Sequence, residues 1–450
     1  MATPVVTTRI LRRLLSSGAY SRAERVMSRI HPADLGPLLS DLTPDETRTV
    51  IDLLFRQRRA ASTLKELPLE LLPQIFDVVT DERLAEVLSR TEIDDRLELV
   101  EAIPEERREA VVELLPEAKR DELRMAQVYP ASSAGRVMTT SYVALDEKMT
   151  GQEAIDSIRT AEDPADSVLY LYVVDDQRRL RGVVPIRRLV SEPPGRLCAE
   201  MMIRDPVSVA PEADQEEVAH LVARYDLLAV PVTDVDGTML GIITVDDVID
   251  VITEEATEDM YHLAGLSEDD RVFTPARTSI RRRLPWMLVN LATTFLGAGV
   301  IFLFQNTIER IVALAIFLPV VAGMGGNGGV QTLTVITRAI ALGEIEFSTG
   351  IRSVFKEMAV GTAIGSVVGV LTAGLAYVWQ GNAYLGLVLF AALIITMAVA
   401  SLLGAAVPLA LKALKQDPAL GSGVIVITIT DAVGFLTFLG FATLLLDFLT

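Results

Sequence analysis

The run IVITITDAVGFLTFLG, residues 425–440, decides the fold. With its flanks, over about 421–446, it is long enough to cross a hydrocarbon core of about 30 Å as a helix, yet it carries one carboxylate, Asp431. Four more apolar segments precede it, at about 285–304, 311–337, 357–379 and 384–411. Each meets the same length requirement, so the C-terminal part of the chain reads as five transmembrane helices.

Before this region the composition changes sharply. Residues 1–280 hold 53 Asp and Glu against 32 Lys and Arg, whereas residues 281–450 hold 7 against 9. The formal charge of −19 therefore belongs to a soluble, acidic part, while 50% hydrophobic residues and a mean hydropathy of +0.38 reflect the membrane part. An acidic balance disfavours nucleic acid, whose phosphates need clustered Lys and Arg, and favours cations. The single cysteine, Cys198, forms no disulfide within the chain, which suits a reducing cytosol. The N-terminus, MATPVVTTRILRRLLSSGAYSRAERV, lacks an apolar core long enough for a signal peptide, which places the soluble part in the cytoplasm. Arg281, Arg282, Arg283, Arg338, Arg352, Lys356, Lys412 and Lys415 then flank the spans on the inside, with Arg310 alone outside. This bias selects that orientation in a plasma membrane and puts the C-terminus outside.

Residues from about 8 to 128 read as short amphipathic helices with Leu, Ile and Val at helical spacing and Pro or Asp/Thr breaks between them. A small helical superhelix and an ordinary bundle both fit this pattern. From about 137 to 255 a divergent repeat of roughly 64 residues appears. Each copy runs from an extended segment through an amphipathic helix to a hairpin, with DDQRRLRG and DVDGTMLG as turns, and ends in a helix. That order resembles a tandem CBS pair. The resemblance implies a nucleotide such as ATP at a Thr/Ser-x-x-Asp signature. The second copy carries it as Thr244 and Asp247, while the first has Arg188 at the acidic position.

Three features carry chemistry. Asp431 is either a protonated or capping group packed in the bundle, or a carboxylate facing a wet cation path; no basic residue lies at its depth, which favours the path. In FLPVVAGMGGNGGVQTLTVITRAIA, Pro319 and Gly323, Gly325, Gly326, Gly328 and Gly329 disfavour a regular helix, so the backbone either opens or packs very closely. Asn327 and Gln331 add neutral oxygens at i,i+4 spacing. With no Cys or His in the membrane part, this oxygen set suits a hard cation such as Mg²⁺ rather than zinc or copper. Third, residues 225–270 hold 13 Asp and Glu and no Lys or Arg, and Asp250, Glu254 and Glu258 share one helical face. Either this face is simply solvated or it gathers cations. His31, His220 and His262 are scattered and read as surface or interface residues. No nucleophile or paired acid–base motif is present, so an enzyme is not expected.

PVVAGMGGNGGVQTLTVITRAIALGEI (319–345), QDPALGSG and TITDAVGF (within 416–435), DQEEVAHLVARYD (214–226) and TVDDVIDVITEEATEDM (244–260) together resemble the MgtE family of magnesium transporters and channels. The resemblance covers nearly the whole chain. It implies a helical N-domain over 1–130, CBS repeats over 131–196 and 197–252, an acidic connecting or plug helix over 253–280 and a five-helix transmembrane domain over 281–450, assembled as a homodimer. It further implies a pore site at Asp431, with Asn327, Gln331, Gly325 and Gly326 beside it. Regulatory Mg²⁺ is implied at Asp94 and Glu98, at Asp214, Glu216 and Asp226, and at Asp247, Asp250, Glu255, Glu258 and Asp259. The chain departs from the family pattern at Gly328, Val424, Ser132, Ser133 and residues 60–62. The expectation is Mg²⁺ uptake through a dimeric pore that cytosolic Mg²⁺ closes. The alternatives are an ion-coupled carrier, a channel for Mn²⁺, Co²⁺ or Ca²⁺, and a membrane-anchored CBS sensor that transports nothing.

Overall fold

The computed structural model describes residues 4–39, 42–68, 71–160, 170–266, 270, 274, 276–345 and 347–449. Glu268 and Asp269 of the acidic run lie outside them. The chain forms two compact units, Met1–Ile252 and Thr253–Thr450.

The first unit begins with the expected short helices. Thr43 and Glu46 cap the helix Pro44–Arg56 reciprocally, side chain to backbone, which stops fraying where Pro44 sets the first turn. Asp81–Arg90 packs on Glu105–Glu113, and Ile93–Ala102, here α1, packs on Glu117–Ala126. Helices thus stack one or two places along the chain, as in a superhelix. Their apolar faces close one core around Leu54, Leu64, Phe76 and Val100. Arg96 lies wholly inside it, donating to the Leu88 carbonyl at 2.7 Å, the Thr91 carbonyl at 2.7 Å and the Glu122 carboxylate at 2.9 Å. A buried guanidinium is tolerable because these acceptors satisfy it, and the two carbonyls depend on it in turn. Arg96→Met is therefore expected to destabilise this unit by about 3 kcal/mol, a loss of roughly 6–12 °C in Tm readable by thermal unfolding.

The repeat follows as six strands: β1 Ala144–Asp146, β2 Tyr170–Val174, β3 Leu180–Pro185, β4 Ile203–Arg204, β5 Ala229–Thr233 and β6 Met239–Thr244. β1 runs parallel to β2, β2 and β3 form a hairpin, and β4 joins β3 antiparallel. β5 and β6 form the second hairpin. Asp175 and Asp234 shape the two turns alike, each accepting backbone N–H groups two and four residues on. The repeats exchange their leading segments: β4, at the start of the second copy, pairs with β3 of the first, while Thr139, at the start of the first, bridges Ile242 of β6. Between β4 and β5 lies α2, Gln215–Tyr225. After β6 the chain enters α3, Val245–Leu263. The connecting helix expected over 253–280 is shorter: α3 ends at Leu263, where Gly265 takes a left-handed conformation at φ 69°, and the next helix starts at Ala276.

In the second unit, five helices among the described residues are long and apolar enough to span a membrane. They are α4 Ala276–Leu303, α5 Ala313–Ala341, α6 Phe347–Gln380, α7 Ala383–Ala413 and α8 Ser422–Leu444. The α7 helix is the most buried and packs on α5, α6 and α8. The glycine-rich run does not open the backbone. It stays helical within α5 with Pro319 inside, and close packing is the outcome. A Cβ at Gly325 would lie 2.7 Å from Thr396, one at Gly328 2.7 Å from Met397, and one at Gly329 2.6 Å from Val426. At Gly325 and Gly329 the branched Thr396 and Val426 leave no room for a side chain, whereas the Met397 tip beside Gly328 can swing aside; helices in lipid gain little from apolar burial and associate through such close contact.

Candidate cation-binding sites

Asp431 sits midway along α8, half-buried, and no hydrogen bond or ion pair from a described residue reaches its carboxylate. The helix turn that carries it lies against the glycine run: a Cβ at Gly325 would be 3.8 Å from the Thr430 carbonyl oxygen. Thr428 and Thr430 do not help it, since their hydroxyls donate to the Val424 and Ile427 carbonyls of their own helix. Gly325 is buried against α7, and Gly326 borders open space. Asn327 and Gln331 are exposed along one face of α5 with Gly323 and Thr334. The second unit thus presents an unpaired carboxylate beside a helix whose open face carries neutral oxygens and nitrogens. A carboxylate of that kind can hold a cation, directly or through its waters.

The first unit gathers a second set. Asp94 and Asp95 occupy the first turn of α1. Asp95 pairs with Lys65 at 3.0 Å, but Asp94 Oδ1 is buried with no partner among the described residues. Burial first, then the negative charge of Asp247, Asp95 and Glu92, pushes the Asp94 carboxyl well above the usual carboxylate range. Asp247, in the first turn of α3, accepts the Thr244 hydroxyl at 2.5 Å and the Thr244 N–H at 3.3 Å. Burial, with Asp246 adding, still pushes it up to about 6. The Thr-x-x-Asp signature thus closes on itself as a helix cap. Asp250 is exposed one turn further on, its carboxyl raised by partial burial and then by Asp246 and Asp95. Glu98 is exposed on α1. Thr139 donates to Glu92 at 2.6 Å and Arg136 pairs with Glu101, so the helical part and the repeat are tied beside this acidic pair. Two carboxylates held above their ordinary pKa by burial and by neighbouring acids form a ready place for a hard dication, which displaces their protons.

Other expected residues are not brought together. Asp214 caps the start of α2, accepting the Glu216 N–H at 2.9 Å, and Asp226 ends the same helix in a left-handed conformation at φ 52°. One helix length, about 17 Å, separates the ends, so within one chain they share no ion.

A third set lies in the second unit. Glu258, His262 and Asp417 each offer a ligand atom, and these atoms lie within 4.8 Å of one another. His262 Nδ1 is 2.5 Å from Asp417 Oδ2, which stands in the loop between α7 and α8. Burial, then the charges of Asp417 and Glu255, pushes Asp259 up to about 6 against the opposing influence of His262 and Arg338. Asp417 and the role of His262 escape a reading by residue type. Asp417 lies more than 150 positions from its partners, inside a QDP turn whose Asp also caps the Ala419 N–H at 2.8 Å.

Known proteins carry the same architecture. The family model for the MgtE intracellular N domain matches residues 30–132, the CBS domain model matches 134–195 and 198–254, and the MgtE model, described as a divalent cation transporter, matches 318–441. The magnesium transporter MgtE of Bacillus subtilis is 32% identical over 96% of this chain and 95% of that protein. The chain belongs to the MgtE family. The MgtE of Thermus thermophilus is 35% identical over 97% of this chain and 98% of its own. Among solved structures, the cytosolic domain of the Mg²⁺ channel MgtE in complex with ATP is 35% identical, with a TM-score of 0.52, over 54% of this chain and 99% of that one. The soluble part of a magnesium transporter is 27% identical, with a TM-score of 0.53, over 56% and 99%. Membership of the MgtE family makes the order of modules in this chain that of a transporter: a helical N-domain, a CBS pair and a bundle of membrane helices.

Proposed function

We propose that this chain conducts Mg²⁺ through a homodimeric pore lined by α5 and α8, with Asp431 of each protomer holding a largely hydrated ion near the axis. The observation that carries the reading is the Asp431 carboxylate, without a partner among the described residues, in a membrane helix that packs against the glycine run of α5. Burying an unpaired carboxylate in lipid is costly, so a helix that keeps one has a wet or cation-filled face for it. Asn327 and Gln331, on the open face of α5, supply neutral polar groups along the same path. The named relatives support magnesium as the ion.

The acidic pairs make the regulatory half of the proposal. Cytosolic Mg²⁺ bound at Asp94 with Asp247, with Glu98 and Asp250 nearby, and at Glu255, Glu258 and Asp259 with Asp417, neutralises repelling carboxylates and favours the closed arrangement. Asp214, Glu216 and Asp226 contribute across contacts that one chain does not make. When Mg²⁺ is scarce, the same repulsion favours the conducting state. The modules divide as 1–130, 131–196, 197–252, 253–280 and 281–450. The protein lies in the plasma membrane with its soluble part in the cytoplasm and its C-terminus outside. ATP binds the CBS pair in one solved relative. Here Thr244 and Asp247 would meet it, with Arg188 in the first copy where an acid is expected.

Flux into vesicles carrying the purified full chain tests the reading. Mg²⁺ entry that is independent of imposed proton or sodium gradients, and that falls when Mg²⁺ bathes the soluble domains, is the expected result. Coupling to either gradient would establish a carrier, preference for Mn²⁺, Co²⁺ or Ca²⁺ a different channel, and no flux a sensor.

A further inference from the structure

We infer that Gly423, at the start of α8, and Trp286, in α4, form the joint by which the end of α3 sets the position of the helix carrying Asp431. The inference rests on the Mg²⁺-gated reading above and names the contact through which gating reaches the pore helix.

α3 ends abruptly. The Gly265 N–H donates to the His262 carbonyl and the Leu266 N–H to the Tyr261 carbonyl, with Gly265 left-handed. The Leu263 carbonyl at this helix end meets Gly423: a Cβ built there would be 2.7 Å from the Leu263 oxygen and 3.8 Å from its carbonyl carbon. Both contacting atoms are backbone, so no side chain can rotate to make room. Trp286 fills the adjoining space. Its indole faces Gly265, whose Cβ would lie 3.8 Å away, and Gly421, whose Cβ would lie 3.1 Å from the ring tip. Gly421 is itself left-handed at φ 65°, which disfavours a side chain, and the ring tip adds a tight contact. On the other side of the same loop, His262 meets Asp417 at 2.5 Å.

The end of α3 therefore bears directly on the first turn of α8, with the indole as a wedge between that turn and the Gly265 bend. Asp431 lies eight residues, about 12 Å, further along α8. A helix is stiff over that span, so a displacement of Leu263 is passed along α8 to the carboxylate rather than absorbed locally. A second outlet through side-chain rearrangement is closed, because the contact is backbone on backbone. Gly423 is thus fitted to a close, rigid seat and Gly421 to a tight one, while Gly265 is called for by its left-handed backbone.

Gly423→Ala and Trp286→Phe in the full chain, reconstituted in vesicles with a trapped Mg²⁺ indicator, test the joint. The readout is the ratio of flux without Mg²⁺ to flux with millimolar Mg²⁺ on the side of the soluble domains. In Gly423→Ala this ratio is expected to fall about tenfold while flux without Mg²⁺ stays within about twofold of wild type. Trp286→Phe, which keeps an aromatic ring but withdraws it from Gly421, shifts the ratio the same way by less and covers the case in which Gly423→Ala does not fold. Protection of residues 264–275 from protease by Mg²⁺ is lost in step with the ratio. A wild-type ratio in folded Gly423→Ala or, should that variant not fold, in Trp286→Phe overturns the joint, as does equal loss of flux in both conditions. If wild type itself shows no inhibition, the gating reading falls and takes the joint with it.

Discussion

Asp431→Ala is expected to abolish Mg²⁺ flux while leaving the protein at least as stable as wild type. The two halves of this result have one cause. Because no described residue hydrogen-bonds or pairs with the carboxylate, its removal breaks nothing in the chain. A central Asp costs a membrane helix about 2.5–3.5 kcal/mol on insertion scales, so alanine removes a penalty while filling the same helical position. On the proposed reading, the cation loses the carboxylate that faces it. If each protomer contributes about 2 kcal/mol of attraction to an ion at the axis, losing both corresponds to roughly three decades of occupancy, and flux falls by at least about a hundredfold. Asp431→Asn separates charge from shape: it retains the volume and one acceptor oxygen, and is expected to lose flux nearly as fully. The measurement pairs indicator flux in vesicles with thermal unfolding in detergent. Flux within a few-fold of wild type in Asp431→Ala would remove the carboxylate from the path. A drop in stability would show that it packs or caps instead.

That carboxylate was legible in the sequence because polarity at depth stands out against an apolar run. The five spans and the repeat were legible for the same reason, since length and periodicity are local properties. What sequence could not settle was set by contact between distant segments. The run from Gly323 to Gly329 is compatible with an open backbone or with a close-packed helix, and only Thr396, Met397 and Val426 on the facing helices decide for packing. Ile203 and Arg204 read as the lead-in to the second repeat, but they pair with the first. Arg96 has the composition of a surface residue in an acidic helix and is fully buried, because Leu88, Thr91 and Glu122 converge on it. Asp94 and Asp247 were named through family resemblance. Their physical character, an Asp94 oxygen with no partner among the described residues and an Asp247 carboxylate held by Thr244, comes from the fold.

Mg²⁺ is expected to stabilise the Met1–Ile252 unit strongly at pH 7.5 and hardly at all at pH 4.5, with Asp247→Asn removing the difference. Asp247 titrates near 6 in the folded chain against an ordinary value of 3.8. Below about pH 4 it is protonated in folded and unfolded chains alike and has no effect. As pH rises through 6 the folded chain must ionise a carboxylate that its surroundings resist, so stability present at low pH is lost, by about 3 kcal/mol for this group. Asp94 shifts in the same direction and deepens the loss. A dication binds only the ionised pair. At a hundred times its dissociation constant it restores about 2.7 kcal/mol, or roughly 5–11 °C in a unit of this size. Carboxylates such as Asp175, held low by the backbone and by Arg179 and Arg181, titrate the other way, so the informative quantity is the difference between wild type and variant. In Asp247→Asn the Thr244 hydrogen bonds retain an acceptor and the charge is gone. Without Mg²⁺ at pH 7.5 the variant should therefore melt above wild type by several degrees, and Mg²⁺ should move it little. Melting curves of the soluble unit at both pH values, with and without Mg²⁺, decide the matter. A wild type indifferent to Mg²⁺ at pH 7.5, or a variant that melts lower than wild type there, would mean that the two aspartates serve the packing of the helical part on the repeat and hold no ion.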